Sequence, residues 1–193
     1  QTIRYRPSLQ RRHAKSGVLL GGSRNVIGNH WTKPWGVQSF SQRANVLQSL
    51  VPTIPNTPLK TKTFVGAKLT ATDLPEILGN LRCNLNRNTR WHWRHEPQVT
   101  ALQWGYKLEE TFPRSTHYYD YVLAADVVYH HDCLAELLDT MLHFCQMGTT
   151  VIFANKVRYQ SDLVFIENFQ KAFNTTLLTE LDEVRIYSAT MRF

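Results

Sequence analysis

Apolar residues after residue 66 recur in short runs whose spacing alternates between that of strands and that of helices. Four mostly apolar runs predict strands: GAKLTATD (66–73), QVTALQWG (98–105), DYVLAAD (120–126) and TTVIFAN (149–155). Between them, apolar positions three and four residues apart predict helices over 75–89, 133–145 and 162–173. Strands that are apolar on both faces and separated by helices are typical of a mostly parallel sheet covered on both sides. The pattern therefore predicts an α/β fold.

Two further apolar runs near the C-terminus follow each other without a helix between them. They are TTLLTE (175–180) and VRIYSATMRF (184–193), joined by a short polar turn. This arrangement predicts a C-terminal antiparallel strand pair. A polar loop is expected over YKLEETFPRSTHY (106–118).

Before residue 66, proline and glycine interrupt the pattern, because five of the eight prolines and six of the nine glycines precede residue 73. Two short apolar pieces remain, GVLL (17–20) and NVLQSLV (45–51). Pro52, Pro55 and Pro58 follow the second piece and forbid a regular helix there. The pattern predicts a poorly ordered segment without a core of its own.

The net charge of +7 divides at nearly the same point. Residues 1–72 hold eleven Lys and Arg and no Asp or Glu, so this part carries +11. The remaining residues hold eleven basic and all fifteen acidic side chains, so their net charge is −4. We therefore predict two parts: a basic, Pro/Gly-rich segment over 1–64 and a folded domain over 65–193.

Hydrophobic content and cysteine usage point to an intracellular setting. No run approaches the roughly 20 apolar residues of a membrane-spanning helix, so no membrane partner is expected. The three cysteines show no paired spacing, which argues against a disulfide framework. We expect buried thiols in a reducing compartment, the cytoplasm and also the nucleus.

Polar residues at the ends of three predicted strands are the candidates for chemistry, because ligands of parallel sheets lie beyond the carboxyl ends of the strands. Asp73 could accept both hydroxyls of a ribose or could cap the next helix. Trp104 could stack on a flat base or could simply pack in the core. Asp126, with Tyr129 three residues later, could orient a substrate amine or could again be a cap.

Four stretches carry a resemblance to a known family: TATDLPEILGNLRCNLNRNT, ALQWG, YYDYVLAADVVYHH and FANKVRYQSD. Over about residues 65–193 the chain resembles the methyltransferase-like 21 group of protein-lysine methyltransferases, and its C and E branches most. The resemblance implies a seven-β-strand, Rossmann-like class I methyltransferase fold. It also implies S-adenosyl-L-methionine as the methyl donor.

The same resemblance implies roles for particular residues. Asp73 would bind the ribose hydroxyls of S-adenosyl-L-methionine, Trp104 would contact the adenine, and Ala125 would line the adenine pocket. Asp126 and Tyr129 match the acid-x-x-Tyr motif of the family, which shapes the lysine channel and positions the amine. No metal is required, and no His/Cys cluster in the sequence has ligand spacing.

The chain departs from the family upstream of Asp73. Family members have a first strand followed by a glycine-rich loop, whereas residues 47–73 contain no glycine before Gly66 and contain three prolines. The first strand and the loop are therefore not recognisable, and an incomplete sheet without its central strand is expected. NVLQSLV (45–51) is the one candidate for the missing central strand.

Three functions follow as hypotheses. The first is methyl transfer to a lysine of a cytosolic protein, for example a chaperone or an AAA-type ATPase. The second is a catalytically impaired family member that acts as a protein-binding module, since the glycine-rich loop is missing. The third is nucleic-acid binding through the basic segment, which the sequence disfavours because it has no RNP, zinc-finger or helix-turn-helix pattern. An Asn/Asp-Pro-Pro-Tyr motif is also absent after the third predicted strand, which reads ADVVY.

Overall fold

Seven strands, named β1 to β7 in chain order, make one sheet in a computed structural model that describes residues 16–20, 68–89, 95–129, 131–181 and 183–192. The strands are β1 Ser16–Leu20, β2 Lys68–Asp73, β3 Gln98–Ala101, β4 Tyr121–Ala125, β5 Thr150–Lys156, β6 Phe173–Leu181 and β7 Val184–Met191. Their order across the sheet is β3-β2-β1-β4-β5-β7-β6. The first five strands pair in parallel, and β7 runs antiparallel to both β5 and β6. The predicted α/β class and the C-terminal antiparallel pair are confirmed.

In the described part of the chain, four α-helices connect or flank these strands: α1 Leu78–Thr89, α2 Leu108–Thr111, α3 Leu134–Phe144 and α4 Gln160–Ala172. Short 3-10 turns, Pro75–Ile77 and His131–Cys133, precede α1 and α3. Pro75 suits this first turn, since its fixed φ and missing N–H cost nothing there. The short helix α2 lies inside the stretch that was predicted to be a loop. None of the described helices is long and apolar enough to cross a bilayer.

The prediction of a missing central strand is wrong. Residues of the GVLL stretch form β1, which lies between β2 and β4 and is parallel to both. Val18 and Leu20 are both fully buried, so this short run has the apolar character that a central strand needs. Four residues are too few to show a period, and for that reason the sequence alone did not distinguish a strand here.

Residues 45–51, the other candidate for the central position, lie outside the described residues. The division of the chain at residue 64 stays a prediction, although one strand from the segment before it is part of the sheet.

Both faces of the sheet carry apolar side chains. On one face, the larger buried cluster includes Val122, Ala124 and Phe153 of the sheet and Leu137, Met141, Phe144, Phe165 and Phe169 of α3 and α4. On the other face, a smaller cluster packs Leu81 and Leu85 of α1 against Leu69, Ala71, Ala125, Ala154 and Ile186. Neighbouring residues of β4 thus point to opposite clusters, as the twofold alternation of a strand requires.

Candidate functional site

The sheet places Asp73 and Asp126 at one edge, on either side of β1. Leu19 of β1 is opposite Ala71 of β2 and Leu123 of β4, so these two strands are level with each other. Asp73 lies two residues beyond Ala71, and Asp126 lies three residues beyond Leu123. Two strand spacings of about 4.8 Å separate β2 from β4, so the two acids flank the carboxyl end of β1 about 10 Å apart.

Asp73 is the last residue of β2 and is only 5% exposed. Its Oδ1 accepts a hydrogen bond from the backbone N–H of Leu74 at 2.8 Å, and its carbonyl accepts from Leu102 N–H at 2.9 Å. The N-cap of the following 3-10 turn is Leu74, so Asp73 does not hold the cap position. The alternative role as a helix cap is therefore not supported, and the ribose role stays a prediction.

The prediction that Trp104 ends a strand is wrong. Strand β3 stops at Ala101, and the chain then turns. The turn is made by Gly105, whose φ of 70° is in the left-handed region. Gly105 N–H donates to Thr140 Oγ1 of α3 at 2.9 Å. Helix α3 thereby holds the loop that carries Trp104.

The indole of Trp104 is half-buried and packs against the larger core cluster. Its Nε1 is buried and has no hydrogen-bond partner among the described residues, although a buried indole N–H usually has one. Core packing therefore accounts for part of this side chain and leaves its polar atom unexplained. Contact with an adenine stays a prediction.

Ala125, the last residue of β4, is 1% exposed and belongs to the smaller core cluster. It pairs with Ala154 of β5 across the sheet. Two alanines side by side leave little side-chain volume at this part of the carboxyl edge. That position fits a pocket wall, and the adenine-lining role stays a prediction.

Asp126 leaves the sheet with an unusual backbone. Its φ is 52°, a left-handed value that costs a non-glycine residue on the order of 1 kcal/mol, and its N–H donates to Ala154 carbonyl at 2.8 Å. Helix α3 has Cys133 as its N-cap, so Asp126 does not cap that helix. The Asp126 side chain is 20% exposed just beyond the end of β4, and Tyr129, three residues later, is 40% exposed.

The Asp126 carboxylate is engaged by a residue that the sequence reasoning missed. Arg158, two residues beyond the end of β5, places its Nη1 2.8 Å from Asp126 Oδ1. Two sequence features could have indicated Arg158. It follows shortly after a strand that ends at the same edge of the sheet, and Asp162 comes four residues later at the start of a helix.

Asp73, Asp126 and Arg158 could contact two different polar groups, one on each side of β1. The Asp73 carboxylate can accept hydrogen bonds from hydroxyl groups. About 10 Å away, the Asp126 carboxylate can accept a hydrogen bond from an amine, and the Arg158 guanidinium repels a positively charged one. This separation is suited to one reactant held at each side of β1.

Comparison with known proteins bears on this arrangement. A family model described as "Lysine methyltransferase" matches residues 58–172. Protein-lysine methyltransferase METTL21E of Mus musculus is 42% identical over 123 residues, which cover 64% of this chain and 50% of that protein. EEF1A lysine methyltransferase 3 of Xenopus tropicalis is 32% identical over 133 residues, which cover 66% of this chain and 56% of that protein.

Solved structures agree at the level of the fold. A predicted O-methyltransferase from Agrobacterium tumefaciens has a TM-score of 0.55 at 12% identity, covering 96% of this chain and 77% of that one. The chain spans about half the length of the METTL21E proteins that it matches.

Proposed function

The chain belongs to the lysine methyltransferase family, and from this premise we propose that it takes part in methyl transfer from S-adenosyl-L-methionine to a lysine amine of a protein. The observation that carries the proposal is the placement of Asp73 and Asp126 on either side of β1 at the carboxyl edge of the sheet. One side of the edge would hold the cofactor and the other the amine. When bound, the cofactor supplies an activated methyl group.

The residues on the β2 and β3 side fit this cofactor. The buried Asp73 carboxylate is an acceptor of the kind that a ribose diol requires. Trp104 adds an indole whose Nε1 is buried without a partner among the described residues, so a polar ligand group could satisfy it. These two residues would bind and orient, and neither would take part in bond making.

On the β4 side, the lysine nitrogen has to attack with its lone pair, so the amine must arrive as or become the neutral form. Asp126 can accept an N–H of the amine and so direct the lone pair away from the carboxylate. Tyr129, three residues later and partly exposed, could cover the alkyl chain of the lysine and exclude water. The extra proton of the methylated amine leaves to solvent.

A protein substrate is part of the proposal. One relative is named EEF1A lysine methyltransferase 3, which supports a lysine of a protein as the acceptor. A cytosolic chaperone or an AAA-type ATPase belongs to the same class of acceptor and is proposed as the finer alternative.

The test is methyl incorporation from tritiated S-adenosyl-L-methionine into a cytosolic lysate by the purified chain, together with calorimetric titration of the cofactor. We expect Asp73→Asn to weaken cofactor binding by about ten- to a hundredfold, because a hydrogen bond to a charged acceptor contributes about 1.5–3 kcal/mol. Asp126→Asn should leave cofactor binding unchanged and reduce incorporation about tenfold or more. Asp139→Asn, an exposed carboxylate on α3, is the matched control. Normal incorporation by both site variants would refute the proposal.

A second candidate, a protein-binding family member without catalysis, was predicted from the lack of glycine over residues 47–65, but the central strand is Ser16–Leu20 and the sequence continues from it with Gly21 and Gly22, so the glycine-free stretch is not the one that follows the first strand. Calorimetry separates the two. Heat of binding on titration with S-adenosyl-L-methionine favours the enzyme, and its absence with a folded chain favours the binding module.

A further inference from the structure

Arg158 connects the end of β5 to the acid at the end of β4. Its Nη1 lies 2.8 Å from Asp126 Oδ1 and 3.3 Å from the carbonyl oxygen of Lys156, to which it donates. The Arg158 side chain is 36% exposed and that of Asp126 is 20% exposed, so the pair lies at the surface of the edge with the carboxylate turned inward. Because the guanidinium holds one oxygen, the other carboxylate oxygen remains available to a second donor.

A buried carboxylate fixes the turn from which Arg158 projects. Asp162 of α4 is 0% exposed, and its Oδ2 accepts hydrogen bonds from Arg158 N–H at 2.7 Å and Tyr159 N–H at 3.0 Å. Two charge-assisted bonds to one oxygen restrict the backbone at the start of the helix. The position of the guanidinium is therefore set by α4 as well as by its contact with Asp126.

We propose that Arg158 is a positioning residue of the lysine side of the site: it holds the Asp126 carboxylate in one orientation and keeps a permanent positive charge beside the reacting amine. This inference rests on the proposed function. A guanidinium remains charged at every pH at which proteins are active. Paired with Asp126, the guanidinium offsets the negative charge that would otherwise stabilise the ammonium form of an incoming lysine, so it keeps the pKa of that amine lower and raises the fraction that can attack.

Other charges around the pair do not replace this effect. Lys156 of β5 forms its own ion pair with Glu183, with Nζ and Oε2 3.0 Å apart. Asp162 is engaged by backbone N–H groups, and Asp73 lies across β1. Tyr129 and Tyr159 are the exposed phenols of the adjoining turns. Among the described residues, Arg158 is thus the one cation in contact with Asp126.

The experiment is a pH–rate profile from pH 6.5 to 9.5 for the purified full chain, with tritiated S-adenosyl-L-methionine and a cytosolic lysate as the acceptor. We expect Arg158→Gln to lower methyl incorporation at pH 7 about tenfold. The acidic limb of its pH–rate profile should move upward by about half to one pH unit, because the amine then loses its proton at a higher pH. Arg158→Lys keeps the charge but not the planar donor, so its limb should stay near that of the wild type while its rate falls several-fold. Arg82→Gln, an exposed arginine of α1, is the control and should change neither quantity.

A merely structural role is separated by a double-mutant cycle with a thermal-unfolding check on each variant. If Arg158 acts through Asp126, adding Arg158→Gln to Asp126→Asn costs far less than it does in the wild type. Incorporation by the wild type with an unchanged Arg158→Gln profile, or with additive effects in the cycle, would overturn this inference alone. Absence of incorporation by the wild type at every pH would overturn the proposed function and this inference with it. If Arg158→Gln does not fold, an upward shift of the acidic limb in Arg158→Lys equally overturns the inference.

Discussion

The backbone N–H of Gly105 donates to Thr140 Oγ1 over 2.9 Å, and Thr140 in turn donates to Glu136 carbonyl at 2.7 Å within α3. The loop that carries Trp104 is therefore held on a helix of the main core rather than on its own strand. The approach is so close that a Cβ at position 105 would lie 2.9 Å from Glu136 Cβ.

Gly105→Ala should accordingly destabilise the fold by about 1–2 kcal/mol, because alanine is strained at this positive φ and also collides with Glu136. Urea unfolding measures the change. Gly79→Ala is the matched control: position 79 is helical and has nothing within 4 Å of the added Cβ, so that variant should gain roughly 0.5–1 kcal/mol. Equal effects of the two substitutions would contradict the docking of this loop.

Removal of the Asp162 carboxylate should be costly, since two backbone N–H groups lose their acceptor in a buried setting. We expect Asp162→Ala to lower the free energy of unfolding by about 2–3 kcal/mol. The same variant should reduce methyl incorporation, because the turn that carries Arg158 is released. Asp139→Ala, at an exposed position of α3, should change stability by less than about 0.5 kcal/mol. Chemical unfolding of both variants checks the difference.

The role of β1 can be tested through its buried side chains. Leu20 is 0% exposed in the larger cluster, so Leu20→Ala should cost about 2–5 kcal/mol. Leu178 of β6 is 51% exposed, and Leu178→Ala should cost much less, on the order of 0.5 kcal/mol. If the Leu20 variant unfolded at the same urea concentration as the wild type, β1 would not be an integral strand of the sheet.

Stability should also fall at alkaline pH. Burial raises the pKa of the Tyr119 phenol above its ordinary value of 10.0, although a hydrogen bond with Thr70 partly opposes the shift. Burial likewise raises the pKa of the Cys145 thiol above 9.0, with a backbone hydrogen bond to Met191 and the charge of Arg114 opposing it. Above these values the unfolded chain loses protons that the folded chain retains, so the unfolded state is favoured as pH rises.

Thermal midpoints measured between pH 8 and 10.5 should therefore decline, and Tyr119→Phe should make the upper part of that decline shallower. Tyr106→Phe, at a 57% exposed position, serves as the control and should leave the slope unchanged. A decline of the same steepness in the Tyr119 variant would show that another group is responsible.

The pattern of apolar residues was sufficient to predict most of the strands and helices from residue 68 onward, because each element there shows its own period. It also predicted Asp73 and Asp126 as edge residues, since a polar residue after an apolar strand marks the point where the chain leaves the core. The family resemblance added Ala125 and gave Tyr129, already noted three residues after Asp126, a role in the lysine channel; both roles stay predictions.

Tertiary structure decided the rest, because the remaining relationships join residues that are distant in sequence. GVLL is too short to show a period, and only pairing with both β2 and β4 makes it the central strand. Arg158 is an ordinary loop cation in the sequence, and it gains significance only because β5 lies beside β4 and brings it 2.8 Å from Asp126. Local physics thus determined which stretches are buried and where most elements lie, whereas strand order determined which charges meet.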